Sequence, residues 1–211
     1  MKGRSALLAA ALAVALWIAG LVITHGNSHL ASKATDDQTL AWVKHNSGTI
    51  IVSSWIFALG SLVFMWFLAL LRGRLAEAEG GSQTLSSLVF GAGIAAAAFS
   101  IAVNGDIGSA INKNDVSPAT AAALHGVGDL FFLVAELALA VTMVSFAVLV
   151  LRTQLLPKWW AYLSLLVGIV LLIGPIGWAA LIFGTPIWAL GTGFMLGRRG
   201  GEAPAAAAVP A

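Results

Sequence analysis

His125, Asp129 and Glu136 lie inside the apolar run LHGVGDLFFLVAELAL, Leu124 to Leu139. A helix turns about 100° per residue, which places the three at about 0°, 40° and 20° on one narrow stripe. An imidazole and a carboxylate four residues apart can share a metal ion or pass a proton. They can equally form an ordinary pair where the helix meets water. A charged group deep in an apolar helix costs about 3 kcal/mol or more unless it faces other polar groups, pairs or is neutralised. Glu136 is therefore expected to point inward. Asn104 and Asp106, at the end of the preceding apolar run, are its expected company, with His25, His29 and His45 as further candidates. His125, Asp129, Glu136, Asn104 and Asp106 form the candidate ligand-binding set.

Other constellations carry less chemistry. His25 and His29 have the spacing by which two imidazoles on one helical face hold a metal, and His45 lies further along. Gly26 and Asn27 interrupt that helix pattern, so a solvated loop is the plainer reading. The chain has no cysteine, which removes disulfides, thiolate ligands and a cysteine nucleophile. Gly91-x-Gly93, Gly126-x-Gly128 and Gly191-x-Gly193 sit in apolar helices without a preceding strand or a P-loop lysine. They read as close helix contacts, not phosphate cradles. No catalytic residue and no cofactor is identified by these patterns.

Elements that could position such groups follow from composition. Of 211 residues, 59% are hydrophobic and 9% charged, with mean hydropathy +0.93. A soluble domain needs roughly 25% charged residues, so lipid is the expected solvent. The expected class is all-α, a polytopic membrane helix bundle with about six transmembrane helices over residues 1–199. Spans are expected near 6–24, 49–71, 85–103, 121–151, 159–173 and 177–196, against the roughly 20 residues a bilayer core requires; the fourth is longer than that. The fifth is short, and Gly184-Thr185-Pro186 is expected to kink the sixth. Thr35-Asp36-Asp37-Gln38 has the form of a capping box, predicting a short helix ahead of the second span. The tail 200–211 has little to bury and is expected to be disordered.

Charge placement sets the expected orientation. Lys2, Arg4, Arg72, Arg74, Arg152, Lys158, Arg198 and Arg199 fall on one side, and Lys33, Lys44 and Lys113 on the other. By the positive-inside rule both termini are cytoplasmic, as in a multi-pass protein of the plasma membrane. The basic residues are scattered, so no nucleic-acid partner is implied, although the pI is near 9.3. Lys2 and Arg4 before an apolar run have the look of a signal peptide. The run is long and lacks a close small-x-small site, so an uncleaved first span is expected. Trp159 and Trp160 beside Lys158 suit the inner headgroup layer.

WFLALLRGRLAEAEGG (Trp66 to Gly81), the following LSSLVFGAGIAAAA, and LRTQLLPKWWAYLSLLVG with the closing Trp188 to Arg199 carry a resemblance. From about Trp42 onward the chain resembles a group of uncharacterised bacterial multi-pass integral membrane proteins of unknown function. The resemblance implies a bundle of about six helices and transfers no activity and no catalytic residue.

All four histidines fall on the expected outer side, with Asp36, Asp37, Asp106, Asp115 and Asp129, while the inner half of every span lacks ionisable groups. A conducting path would need polar relays at more than one depth. The pattern points instead to an outward-facing polar pocket with an apolar floor. The expected role is binding a small polar ligand or cation, or service as an accessory membrane subunit, with the bilayer, a membrane protein or a second copy as partner. The alternative is a membrane-embedded, metal-assisted enzyme using His25, His29, His45 and His125.

Overall fold

Among the residues described by the computed structural model, 2–25, 30 and 33–199, every regular element is helical and no strand occurs. The helices are α1 (Lys2–His25), α2 (Asp36–Glu79), α3 (Thr84–Ala102), α4 (Asp106–Ile111), α5 (Pro118–Thr153), α6 (Lys158–Leu171), α7 (Gly174–Ala179) and α8 (Thr185–Arg199). A π-helical turn, Ala180–Gly184, joins the last two. Five helical stretches are long and apolar enough to cross a membrane: Arg4–Thr24, Asp36–Glu79, Thr84–Ile111, Pro118–Thr153 and Ile176–Arg198. Lys158–Leu171 is apolar but shorter. The tail 200–211 lies outside the described residues.

Local chemistry explains the ends. Thr35 accepts from the Gln38 amide at 3.3 Å, and Gln38 Oε1 accepts from the Thr35 amide at 2.9 Å, completing the capping box. The helix it opens does not stop before the second span. It runs unbroken for 44 residues, about 66 Å at 1.5 Å per residue. Gly48, the residue best suited to interrupt it, has no packing neighbour and is tolerated as an ordinary helical residue. Ser117 caps α5 by accepting from the Thr120 amide, and Pro118 takes the first turn, where its missing N–H costs nothing.

The kink expected at Gly184-Thr185-Pro186 takes the form of the π turn. Pro186 cannot donate back along the helix, and its ring crowds the carbonyl four residues earlier. Widening the preceding turn, with the Thr185 amide bonded to Ala180 O, relieves both.

The bundle packs α1 between α2 and α8, α3 against α2 and α5, and α6 against α5. Its main core lies towards the end that carries Arg72, Arg152 and Lys158. Trp188 sits at its centre, edge-on to Phe67 at 6.1 Å and to Phe146 at 5.2 Å. Close approach relies on absent side chains. A Cβ on Gly193 would meet Leu7 Cα at 3.1 Å, and one on Gly93 would meet Leu68 Cδ1 at 2.7 Å. Gly91 and Gly126 meet nothing, whereas Gly191 and Gly193 both meet close neighbours, so only the last Gly-x-Gly pattern serves packing at both positions. Trp159 is exposed, whereas Trp160 is buried and donates through Nε1 to Thr192 Oγ1 at 3.0 Å. Only the first of the pair is free to act as a belt residue. The outward faces stay greasy, with Leu8 and Trp66 each 69% exposed.

The last turns of α2 hold a contact that residue spacing does not reveal. Arg74 and Glu77 pair at 3.8 Å. Glu79 instead turns to the next helix, accepting from the Leu85 and Ser86 amides at 2.8 and 2.7 Å. A carboxylate there satisfies the free amides of α3 and its positive end.

Candidate ligand pocket

At the opposite end of the bundle the helices leave two adjoining cavities. α3 gives out at Val103-Asn104-Gly105, and the chain restarts as α4, which lies against α2 and α5. The break is glycine chemistry. A Cβ on Gly105 would run into the Leu124 carbonyl, and one on Gly128 would come within 2.5 Å of Val103 O. Two backbones therefore cross in direct contact. The residues immediately after these contact points, Asp106 and His125, are brought face to face.

His125 Nδ1 and Asp106 Oδ2 lie 2.9 Å apart, an ion pair when the ring is protonated and a hydrogen bond donated by Nδ1–H when it is neutral. The Trp42 ring approaches the imidazole edge-on at 6.1 Å, bracing its orientation. The other carboxylate oxygen, Asp106 Oδ1, is buried and has no hydrogen-bond partner. Asp129 stands one turn along α5, exposed at the mouth of the same space. Ser53 and Ser54 of α2 and Asn104 complete the polar wall of a cavity of about 220 Å³.

Below it lies a second cavity of about 280 Å³, sharing Thr24, Val103, Asn104 and Phe132 with the first. Ser100 of α3 also lines it, and its other walls are mainly apolar, formed by Trp17, Phe57, Leu139 and Leu181 among others. Thr185 also lines it, 2% exposed, with an Oγ1 that has no partner.

The structure thus brings together four of the five sequence-derived candidates, Asn104, Asp106, His125 and Asp129. Glu136 is buried, 3% exposed, but stands apart from that polar wall. Its carboxylate rests against α7, where a Cβ on Gly177 would lie 3.1 Å from Oε2, and Oε1 has no partner. The expected contact with Asn104 is not formed; Asn104 Nδ2 donates to Ile101 O instead. The shared stripe is real, but Glu136 lies 11 residues beyond His125, about 16 Å along the axis. At that level the neighbour is a different helix. The imidazole's partner also differs from the i, i+4 acid, because the Gly105–Gly128 crossing delivers Asp106 first. Asp106 does not cap a helix; Gly105 holds the N-cap position of α4.

Among the described residues no three histidine, aspartate or glutamate side chains gather closely enough to hold a metal ion. His45 is exposed on α2 and does not line the pocket. His29 lies outside the described residues, and of His25 only its place at the end of α1 is described. Trp42, Ser53, Ser54 and Thr185 are pocket residues that spacing within one helix does not single out. The adjacent serines in an otherwise apolar run were the available signal. Comparison with protein-family models, curated proteins and solved structures finds no match to this chain.

Proposed function

We propose that this chain is a multi-pass integral membrane protein of the plasma membrane that binds a small polar or cationic ligand from the outer side. The apolar outward faces and the five long apolar helices support a lipid surrounding. The basic residues clustered at the Arg72 end support cytoplasmic termini. On this reading α1, α2, α3 and α5 cross fully, α2 in its stretch near 49–71. The short α6, about 21 Å long, and the longer α7–α8 helix then form a hairpin entered from the cytoplasmic side.

The observation that carries the binding role is one cavity bearing the Asp106–His125 pair, an unpartnered Asp106 oxygen and Asp129. Two carboxylates against one imidazole leave the site net negative in either state of the ring. It therefore favours a cation or a strong hydrogen-bond donor.

Thermal unfolding of the protein in lipid nanodiscs, titrated with ammonium, alkylamines and inorganic cations, tests the role. Saturating ligand at 100 times Kd adds about 2.7 kcal/mol, and Asp106→Asn should abolish the gain. Equal responses of wild type and Asp106→Asn to every cation would remove the basis for a site here.

A further inference from the structure

The two cavities adjoin, and their chemistry differs sharply. They share Thr24, Val103, Asn104 and Phe132 as a common wall. One half carries both carboxylates and the imidazole, the other almost only carbon. At the far end Thr185 Oγ1 is buried without a partner and lines the apolar half. A small hydrated cation would fill the first half and leave the second, the larger of the two, unused.

We infer that the occupant is an amphiphile with a cationic amine head and an apolar tail, the head at Asp106 and Asp129 and the tail in the 280 Å³ chamber. The inference rests on the binding role proposed above and narrows it to a ligand class. Charge complementarity selects the head: the lining offers two acids and only one base. The walls select the tail, because burying alkyl surface against Trp17, Phe57, Leu139 and Leu181 is favourable at about 25 cal/mol per Å². A molecule of this kind already resides at the membrane–water boundary. It would bring its head to the mouth while its tail enters beside the helices, so neither part must leave its preferred solvent. A membrane lipid with an amine head and a soluble long-chain amine share this chemistry.

Four probes in nanodiscs separate the possibilities: decylamine, ethylamine, decanoate and decanol, followed by thermal shift and native mass spectrometry. Decylamine should bind at least tenfold more tightly than ethylamine, and decanoate and decanol should give no saturable shift. Ser100→Leu, which fills the apolar chamber without touching the acids, should cut decylamine affinity tenfold or more and leave ethylamine unchanged. Ser100→Ala controls for the lost hydroxyl and should behave as wild type. Equal affinities for decylamine and ethylamine, both lost in Asp106→Asn, would overturn the amphiphile and leave the cation site standing. No Asp106-dependent binding of either amine would overturn both readings. Co-purified lipid amine released only from wild type, and not from Ser100→Leu, would identify the bilayer as the source; saturable binding of added decylamine to a lipid-free pocket would identify a soluble one.

Discussion

Gly105 and Gly128 face one another where α5 crosses the end of α3. A Cβ built on Gly128 would stand 3.6 Å from the Gly105 nitrogen and 2.5 Å from Val103 O. The crossing has no room for a side chain on either segment, and the Asp106–His125 pair depends on it.

Gly128→Ala is therefore expected to lower stability by about 1–3 kcal/mol, the usual cost of forcing extra volume into a packed contact. It should also weaken the proposed cation binding by separating Asp106 from His125. Gly126→Ala, two residues away with nothing within 4 Å, serves as the contrast. It should be neutral or raise stability by up to about 1 kcal/mol, since alanine is the better helix former. Thermal unfolding of the two variants decides this; equal losses would show that the crossing tolerates a methyl.

Glu136 and Gly177 should be energetically coupled. Gly177→Ala pushes a methyl toward Glu136 Oε2 and Leu171 O, each 3.1 Å from the Cβ position. Glu136→Ala removes the first obstacle. A double-mutant cycle should return a coupling of about 0.5–3 kcal/mol, with the double variant more stable than the singles add up to. Simple additivity would mean that the carboxylate swings away at no cost.

Acid should loosen the start of α3 through Glu79, which lies beyond the expected 49–71 span. Burial raises its pKa, but the Ser86 and Leu85 amides, the Ser86 hydroxyl and the charge of Arg152 together lower it below 4.5. The folded state thus holds the ionised form more tightly than the unfolded chain does. The stabilisation is complete above the unfolded value near 4.5, and it is lost as pH falls through the lower folded value. Glu79→Gln should be less stable than wild type at pH 7, with the gap closing as pH falls below 4.5 and through the lower folded value. A gap that stays constant from pH 7 to pH 3 would rule out the ionised cap.

Thr192→Val should cost about 1–3 kcal/mol by stranding the buried Trp160 Nε1–H. Thr192→Ser keeps the acceptor and should lose less than half as much. Near-ultraviolet circular dichroism of the tryptophans, recorded through the melt, would report the change directly.

Orientation can be read from single cysteines, since the chain has none of its own. Ser117→Cys, exposed beside the pocket end, should react with a membrane-impermeant reagent on intact cells. Ser82→Cys, exposed at the Arg72 end, should react only after permeabilisation, and Ser164→Cys, 1% exposed, in neither case. Labelling of position 82 from outside would invert the topology.

Much of this was legible in the residues themselves. Long apolar runs require helices, because a helix satisfies its own backbone groups wherever water is scarce. The Thr35–Gln38 box and Ser117-Pro118 mark their helix starts by short-range bonds that act within four residues. The proline at 186 demands a distortion just upstream. Burial of Glu136 followed from the cost of a carboxylate among apolar groups.

Which groups meet was settled only by the tertiary structure. Periodicity describes one helix and is silent on where a second backbone crosses it. His125 pairs with Asp106 rather than Asp129 because two glycines, 23 positions apart in the chain, allow carbonyl and Cα to touch. Glu136 faces Gly177 because α7 returns at its level, a matter of helix length and hairpin placement. The apolar chamber beside the acids is likewise a gap between α1, α2, α3, α5 and the π turn leading into α8, and a gap has no residues of its own to read.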